Sequence, residues 1–79
     1  MYWVYIIENA DGLLYKGYTE NIEKRLVQHN NNESRYTSFR GPWKLVYKHE
    51  YSTKSEALKE ERRIKHLNLK SLKKLIGKE

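Results

Sequence analysis

Cysteine is absent from the 79 residues, which excludes a disulfide framework and a thiolate zinc site. Proline occurs once and glycine four times, too few of either for a flexible linker or a low-complexity tract. No apolar run approaches the roughly 18 residues of a membrane-spanning helix. Met1 leads into a strand-like pattern and not into a charged, then apolar leader, so a cytoplasmic protein is expected. Acidic residues are the minority sign, 10 against 16 Lys and Arg, giving a net charge of +6. Such an excess suits a polyanionic partner, because phosphate backbones release counterions as they are neutralised, although it also fits a merely solvated basic surface. Phenylalanine occurs once, yet there are seven tyrosines and two tryptophans. So many phenols imply rings held at half-buried edges or at a reactive site.

The length allows one domain, residues 1–79, with a modest core. From Tyr2 to Ile7 every residue is β-branched or aromatic. Trp3, Tyr5 and Ile7 share one face and Tyr2, Val4 and Ile6 the other, as in a central strand. Asn9-Ala10-Asp11-Gly12 signals a turn, and Leu13 to Tyr18 reads as the return strand of a hairpin. A loop with an odd number of residues would put Tyr5 and Tyr15 on one face. A two-residue turn at Asp11-Gly12 would pair Tyr5 with Tyr18 instead.

Thr19 or Asn21 can cap a helix running to about His29, with Ile22, Leu26 and Val27 as its apolar stripe and Arg25 and His29 one turn apart on the border of that stripe. After the Asn30-Asn31-Asn32 stop comes a polar loop, Glu33 to Gly41, carrying Arg35, Tyr36, Thr37 and Arg40. Gly41-Pro42 marks a turn. Trp43 to Tyr51 then alternates as a third strand at a sheet edge, with Trp43, Leu45, Tyr47, His49 and Tyr51 on one face. Thr53-x-x-Glu56 is a capping-box signature opening a helix through Ala57, Leu58, Ile64 and Leu67. Asn68 interrupts it, and Ser71 to Ile76 suggests a last short helix. The expected class is α+β, a three-stranded antiparallel sheet flanked by helices in the order ββαβαα.

Trp3-Val4-Tyr5-x-Ile7-x-Asn9, followed by Tyr15-Lys16-Gly17, Arg25 and His29 on a helix, and Glu56, resembles the GIY-YIG nuclease family, and in particular its small stand-alone bacterial members. The likeness extends to Glu23-Lys24-Arg25-Leu26-x-x-His29, to Gly41-Pro42 before the Trp43-Lys44-Leu45-Val46-Tyr47 strand, and to Ser55-Glu56-Ala57-Leu58-Lys59-x-Glu61. Trp3 stands where the first motif has glycine, and Lys16 where the second has an apolar residue.

The resemblance implies a metal-dependent endonuclease that hydrolyses DNA phosphodiesters. Glu56 would hold one Mg²⁺ or Mn²⁺, a hard cation that keeps most of its waters; the competing reading is that Glu56 only closes the capping box. Arg25 would stabilise charge on the scissile phosphate. Tyr5 and Tyr15 would form the base or water-orienting pair, with Tyr18 as a substitute in the other register. His29 would relay a proton or position water, or else cap its helix through the dipole. Asn68 resembles an asparagine placed near the phosphate in several members, and is equally a helix stop. Lys16, Arg35, Arg40 and Lys65 are expected to face DNA. His29, His49 and Glu56 lack metal-ligand spacing, so zinc is rejected.

With no second DNA-binding module, structure-directed cutting of nicked, branched or damaged DNA, of the kind met in DNA repair, is expected rather than sequence-specific cutting. The partner is DNA, with no membrane and no small-molecule cofactor, and the protein is taken as a monomer. The alternative is a nucleic-acid-binding module on the same fold that lacks catalysis or needs a partner for it.

Overall fold

The computed structural model describes residues 1–77. Its elements are β1 (Tyr2–Asn9), β2 (Leu14–Thr19), α1 (Ile22–Asn30), β3 (Trp43–Tyr51), α2 (Lys54–Lys65) and α3 (Leu69–Ile76). The three strands form one antiparallel sheet in the order β2-β1-β3. The strand apolar on both faces is therefore the central one, and β3 lies at an edge.

Hairpin register follows from the turn. Tyr5 pairs with Gly17, Ile7 with Tyr15 and Glu8 with Leu14, which leaves residues 9–13 in an odd-numbered loop. Tyr5 and Tyr15 thus share a face, and Tyr18 pairs with Val4 on the other side. Asn9 holds the turn, its Oδ1 accepting the backbone N–H of Asp11 at 3.0 Å and of Leu13 at 2.9 Å. Gly12 supplies the left-handed residue at φ 83°, a conformation that a Cβ would strain.

Strand β3 departs from its apparent alternation. The register along β1 shifts between Ile6, paired with Tyr47, and Ile7, paired with Leu45, so Val46 is an extra residue and the strand changes face there. Trp43 and Leu45 consequently pack with Tyr5 and Ile7, whereas Tyr47 and Tyr51 pack with Val4 and Ile6. The single face expected for all five residues is divided by this β-bulge, whose extra residue reverses every side chain beyond it.

The two sheet faces carry different helices. Val4 and Ile6 meet Ala57 and Ile64 of α2 and Leu72 of α3, and Tyr5, Ile7 and Trp43 meet Ile22 and Leu26 of α1. Val27, expected in the α1 stripe, is instead exposed, and His29 is the helix's fully buried residue. Asn21 is the N-cap of α1, accepting from Lys24 N–H at 3.0 Å. Thr53 caps α2 and Asn68 caps α3, which begins at Leu69, ahead of the Ser71 start suggested by the sequence.

Candidate active site

The α1 face of the hairpin is shaped by a missing side chain. A Cβ on Gly17 would lie 2.8 Å from the Tyr5 hydroxyl and 3.1 Å from Cε2 of Tyr15, closer than such contacts are tolerated. Glycine therefore makes room for both phenols side by side, with ring centroids 6.4 Å apart. Tyr5 is buried and Tyr15 half-buried.

Helix α1 adds the polar groups. His29 Nε2 is 2.8 Å from the Tyr5 hydroxyl, and Arg25 Nε donates to the same oxygen at 3.4 Å. The Arg25 Nη1 is fixed by Gln28 Oε1 at 3.0 Å. The other imidazole nitrogen, His29 Nδ1, is 2.7 Å from the Thr37 hydroxyl. The imidazole also lies against Tyr15, with centroids 4.9 Å apart. Tyr5, His29 and Thr37 thus form a continuous hydrogen-bonded line, with His29 and Thr37 fully buried.

Thr37 is held by its surroundings. In the 31–42 connection, Asn30 accepts Trp43 N–H at 2.6 Å and donates to Trp43 carbonyl at 3.3 Å, so the loop's far end is tied to the end of α1. The Trp43 indole donates to the Thr37 carbonyl at 3.1 Å. Asn9 Nδ2 donates to the Arg40 carbonyl at 3.1 Å and links this loop to the hairpin turn.

Burial dominates the electrostatics. It pushes the Tyr5 phenol up to about 12, against the opposing pull of Arg25. It also lowers His29 to about 4, with the Arg25 charge acting in the same direction, so the imidazole is neutral at pH 7. Burial works against the Arg25 charge, yet its contacts with the Tyr5 and Tyr15 phenols leave it held more firmly protonated than usual. A neutral imidazole between two hydroxyls can accept one hydrogen bond and donate another, and the permanent cation beside it can stabilise an oxyanion.

On α2, Ala57 and Ile64 are buried, and Glu61, on the same stripe, is a half-buried carboxylate whose charge contributes to raising Tyr5. It lies 3.7 Å from Lys65 Nζ. Glu56, by contrast, is exposed at the start of α2, where its Oε1 accepts the Thr53 hydroxyl at 3.0 Å and its N–H donates to Thr53 Oγ1 at 3.2 Å. Among the described residues no three His, Asp or Glu gather as a metal cage. A half-buried carboxylate electrostatically coupled to a phenol nevertheless fits a hard cation bound through one protein ligand, with water and phosphate oxygens completing its shell.

Beside Tyr15 opens a cleft of about 720 Å³, bounded by the start of β2, the 31–42 connection and the end of α2. Lys16, Arg35, Arg40 and Lys65 all line it.

The model of the GIY-YIG catalytic domain matches residues 1–75. The chain belongs to the GIY-YIG nuclease family. A UPF0213 protein of Staphylococcus saprophyticus is 46% identical over 77 residues, covering 96% of this chain and 94% of its own. A UPF0213 protein of Staphylococcus epidermidis is 48% identical over 65 residues, or 81% of this chain and 79% of its own. The solution NMR structure of a UPF0213 protein from Bacillus halodurans superposes with a TM-score of 0.63 at 36% identity, covering 96% of this chain and 83% of that one. Among the described residues no helix is long and apolar enough to cross a membrane.

Within this GIY-YIG domain the residues singled out in the sequence fall in three places. Tyr5, Tyr15, Arg25 and His29 come together on the α1 face. Lys16, Arg35, Arg40 and Lys65 surround the adjoining cleft. Glu56 and Asn68 sit at helix starts, Asn68 accepting Ser71 N–H at 2.8 Å. The sequence assigns no catalytic part to Gln28, to the loop residue Thr37 or to Glu61, which ends the Ser55-to-Glu61 stretch of the family likeness. Glu61 carries a further signal, as a carboxylate at i+4 from Ala57 and i−3 from Ile64, on the buried side of its helix.

Proposed function

We propose that this GIY-YIG domain, acting as a single unit, is a divalent-metal-dependent endonuclease that hydrolyses DNA phosphodiesters at the Tyr5–Arg25–His29 site. The observation carrying this reading is the convergence of Arg25 Nε and His29 Nε2 on one buried phenol oxygen, at 3.4 and 2.8 Å. A binding module needs cations on its surface but gains nothing from a buried, neutral imidazole wired to two hydroxyls.

In this reading Arg25 neutralises charge developing on the phosphate, and Tyr15, the more open of the two phenols, orients the attacking water. Tyr5 donates its hydroxyl hydrogen bond to His29 Nε2 and accepts from Arg25, while His29 Nδ1–H donates to Thr37, which fixes the tautomer and holds the phenol and the guanidinium in place. Glu61 is the carboxylate we assign to one Mg²⁺ or Mn²⁺, in place of Glu56, whose oxygen is engaged by Thr53. When bound, the ion would polarise the phosphate and assist the leaving oxygen.

Phosphate contacts carry no sequence information, so the cations that line the cleft beside Tyr15 support structure-directed cutting of nicked, branched or damaged DNA. The test is cleavage of labelled duplex, nicked, flap and branched DNAs with Mg²⁺, Mn²⁺ or EDTA, by the native protein, Glu61→Gln and Glu56→Gln. The expected result is metal-dependent cutting that falls at least about 100-fold in Glu61→Gln and persists in Glu56→Gln, which keeps the backbone N–H that Thr53 accepts and an amide oxygen able to accept the Thr53 hydroxyl. Loss of cutting in Glu56→Gln with retention in Glu61→Gln would reverse the assignment. Binding without cutting in any metal would leave a nucleic-acid-binding module.

A further inference from the structure

We infer that the cleft beside Tyr15 holds an unpaired nucleotide flanking the scissile phosphate, with its base stacked on Tyr36, so that the substrate must present unpaired DNA at the cut. The inference rests on the nuclease reading for its placement, because Tyr15 is both a wall of the cleft and the ring packed on His29. A strand with its phosphate at Arg25 therefore runs its neighbouring nucleotide into this space.

Three features define what fits. The volume, about 720 Å³, falls within the roughly 300–1,000 Å³ of pockets that enclose small ligands, enough for about one or two nucleotides. Four of the lining side chains are cationic and none is acidic, so the walls suit a phosphate backbone and repel no part of it. On the loop side Tyr36 keeps 72% of its surface in water, and Arg35 and Arg40 line the same cleft. An open aromatic ring in a cleft that guanidinium groups also line is the usual kind of platform for a base in single-stranded nucleic acid.

Duplex DNA cannot use such a platform. Its base faces are already occupied by their neighbours, and freeing one costs a few kcal/mol unless the nucleotide is already unpaired. Recognition would come from stacking and charge, which every base and phosphate offers.

The test is binding in EDTA, where cleavage plays no part, of a short oligothymidylate carrying one 2-aminopurine and of a blunt hairpin duplex, by the native protein, Tyr36→Ala and Tyr36→Phe. Expected are quenching of the 2-aminopurine by the native protein, roughly tenfold weaker single-strand binding in Tyr36→Ala, near-native binding in Tyr36→Phe, and duplex binding unchanged in both. Equal single-strand affinities for native and Tyr36→Ala, or equal losses on single strand and duplex, would overturn the inference. A protein that passes this test yet cuts nothing with added metal would refute the nuclease reading alone.

Discussion

The Tyr5 hydroxyl fills the space that a Cβ on Gly17 would need, the two points being only 2.8 Å apart. The glycine is thus part of the site, as the packing surface against which the buried phenol is set. In Gly17→Ala the ring must shift away, disturbing its bonds to His29 and Arg25. The expected cost is about 1–3 kcal/mol of stability, typical of overpacking, together with loss of cleavage. Urea unfolding beside a cleavage assay checks both; an unchanged rate would mean that the position of Tyr5 does not matter.

The burial of His29 ties stability to pH. Its folded pKa, about 4, lies below the ordinary 6.5, so between these values the unfolded chain binds the extra proton. The contribution is complete above pH 6.5 and is lost as pH falls through about 4. It amounts to roughly 2–3 kcal/mol. Urea unfolding of the native protein and His29→Gln from pH 7 to pH 4 should show the native advantage shrinking by about that amount; a constant difference would contradict a buried neutral imidazole.

The cationic cleft predicts salt-dependent affinity. Replacing both Arg35 and Arg40, which line it, by glutamine should flatten the plot of log affinity against log salt by about 1.4–1.8, or roughly 0.7–0.9 for each phosphate that is no longer neutralised. Fluorescence anisotropy titrations at several salt concentrations measure this, and an unchanged slope would place the DNA elsewhere.

Much of this architecture is legible in local sequence. The β-branched and aromatic run of β1, the Thr53 capping box and the turn at Asn9 to Gly12 each act over a few residues, and each appears where its chemistry predicts. Features that depend on pairing between distant segments are not legible in the same way. The bulge at Val46 is a mismatch between β3 and β1, and nothing in an alternating strand announces it. Odd and even hairpin loops differ only in how residues 9–13 close, which here depends on the Asn9 side chain. Thr37 reads as an ordinary loop residue until the tie between Asn30 and Trp43 folds the loop back under His29. Glu56 and Glu61 lie on one helix, and what separates them is tertiary: Glu56 is exposed and engaged by Thr53, whereas Glu61 is half-buried and its charge reaches Tyr5.

The most direct test of the site is single-turnover cleavage of a nicked or flap DNA, with Mg²⁺ or Mn²⁺, by the native protein and Tyr5→Phe. This change deletes one hydroxyl, the atom shared by His29 Nε2 and Arg25 Nε, and leaves the ring in place. The account predicts native-like DNA binding with a cleavage rate at least about 100-fold lower. Cutting by Tyr5→Phe at the native rate would contradict it, leaving the buried Tyr5–His29–Thr37 line as packing alone.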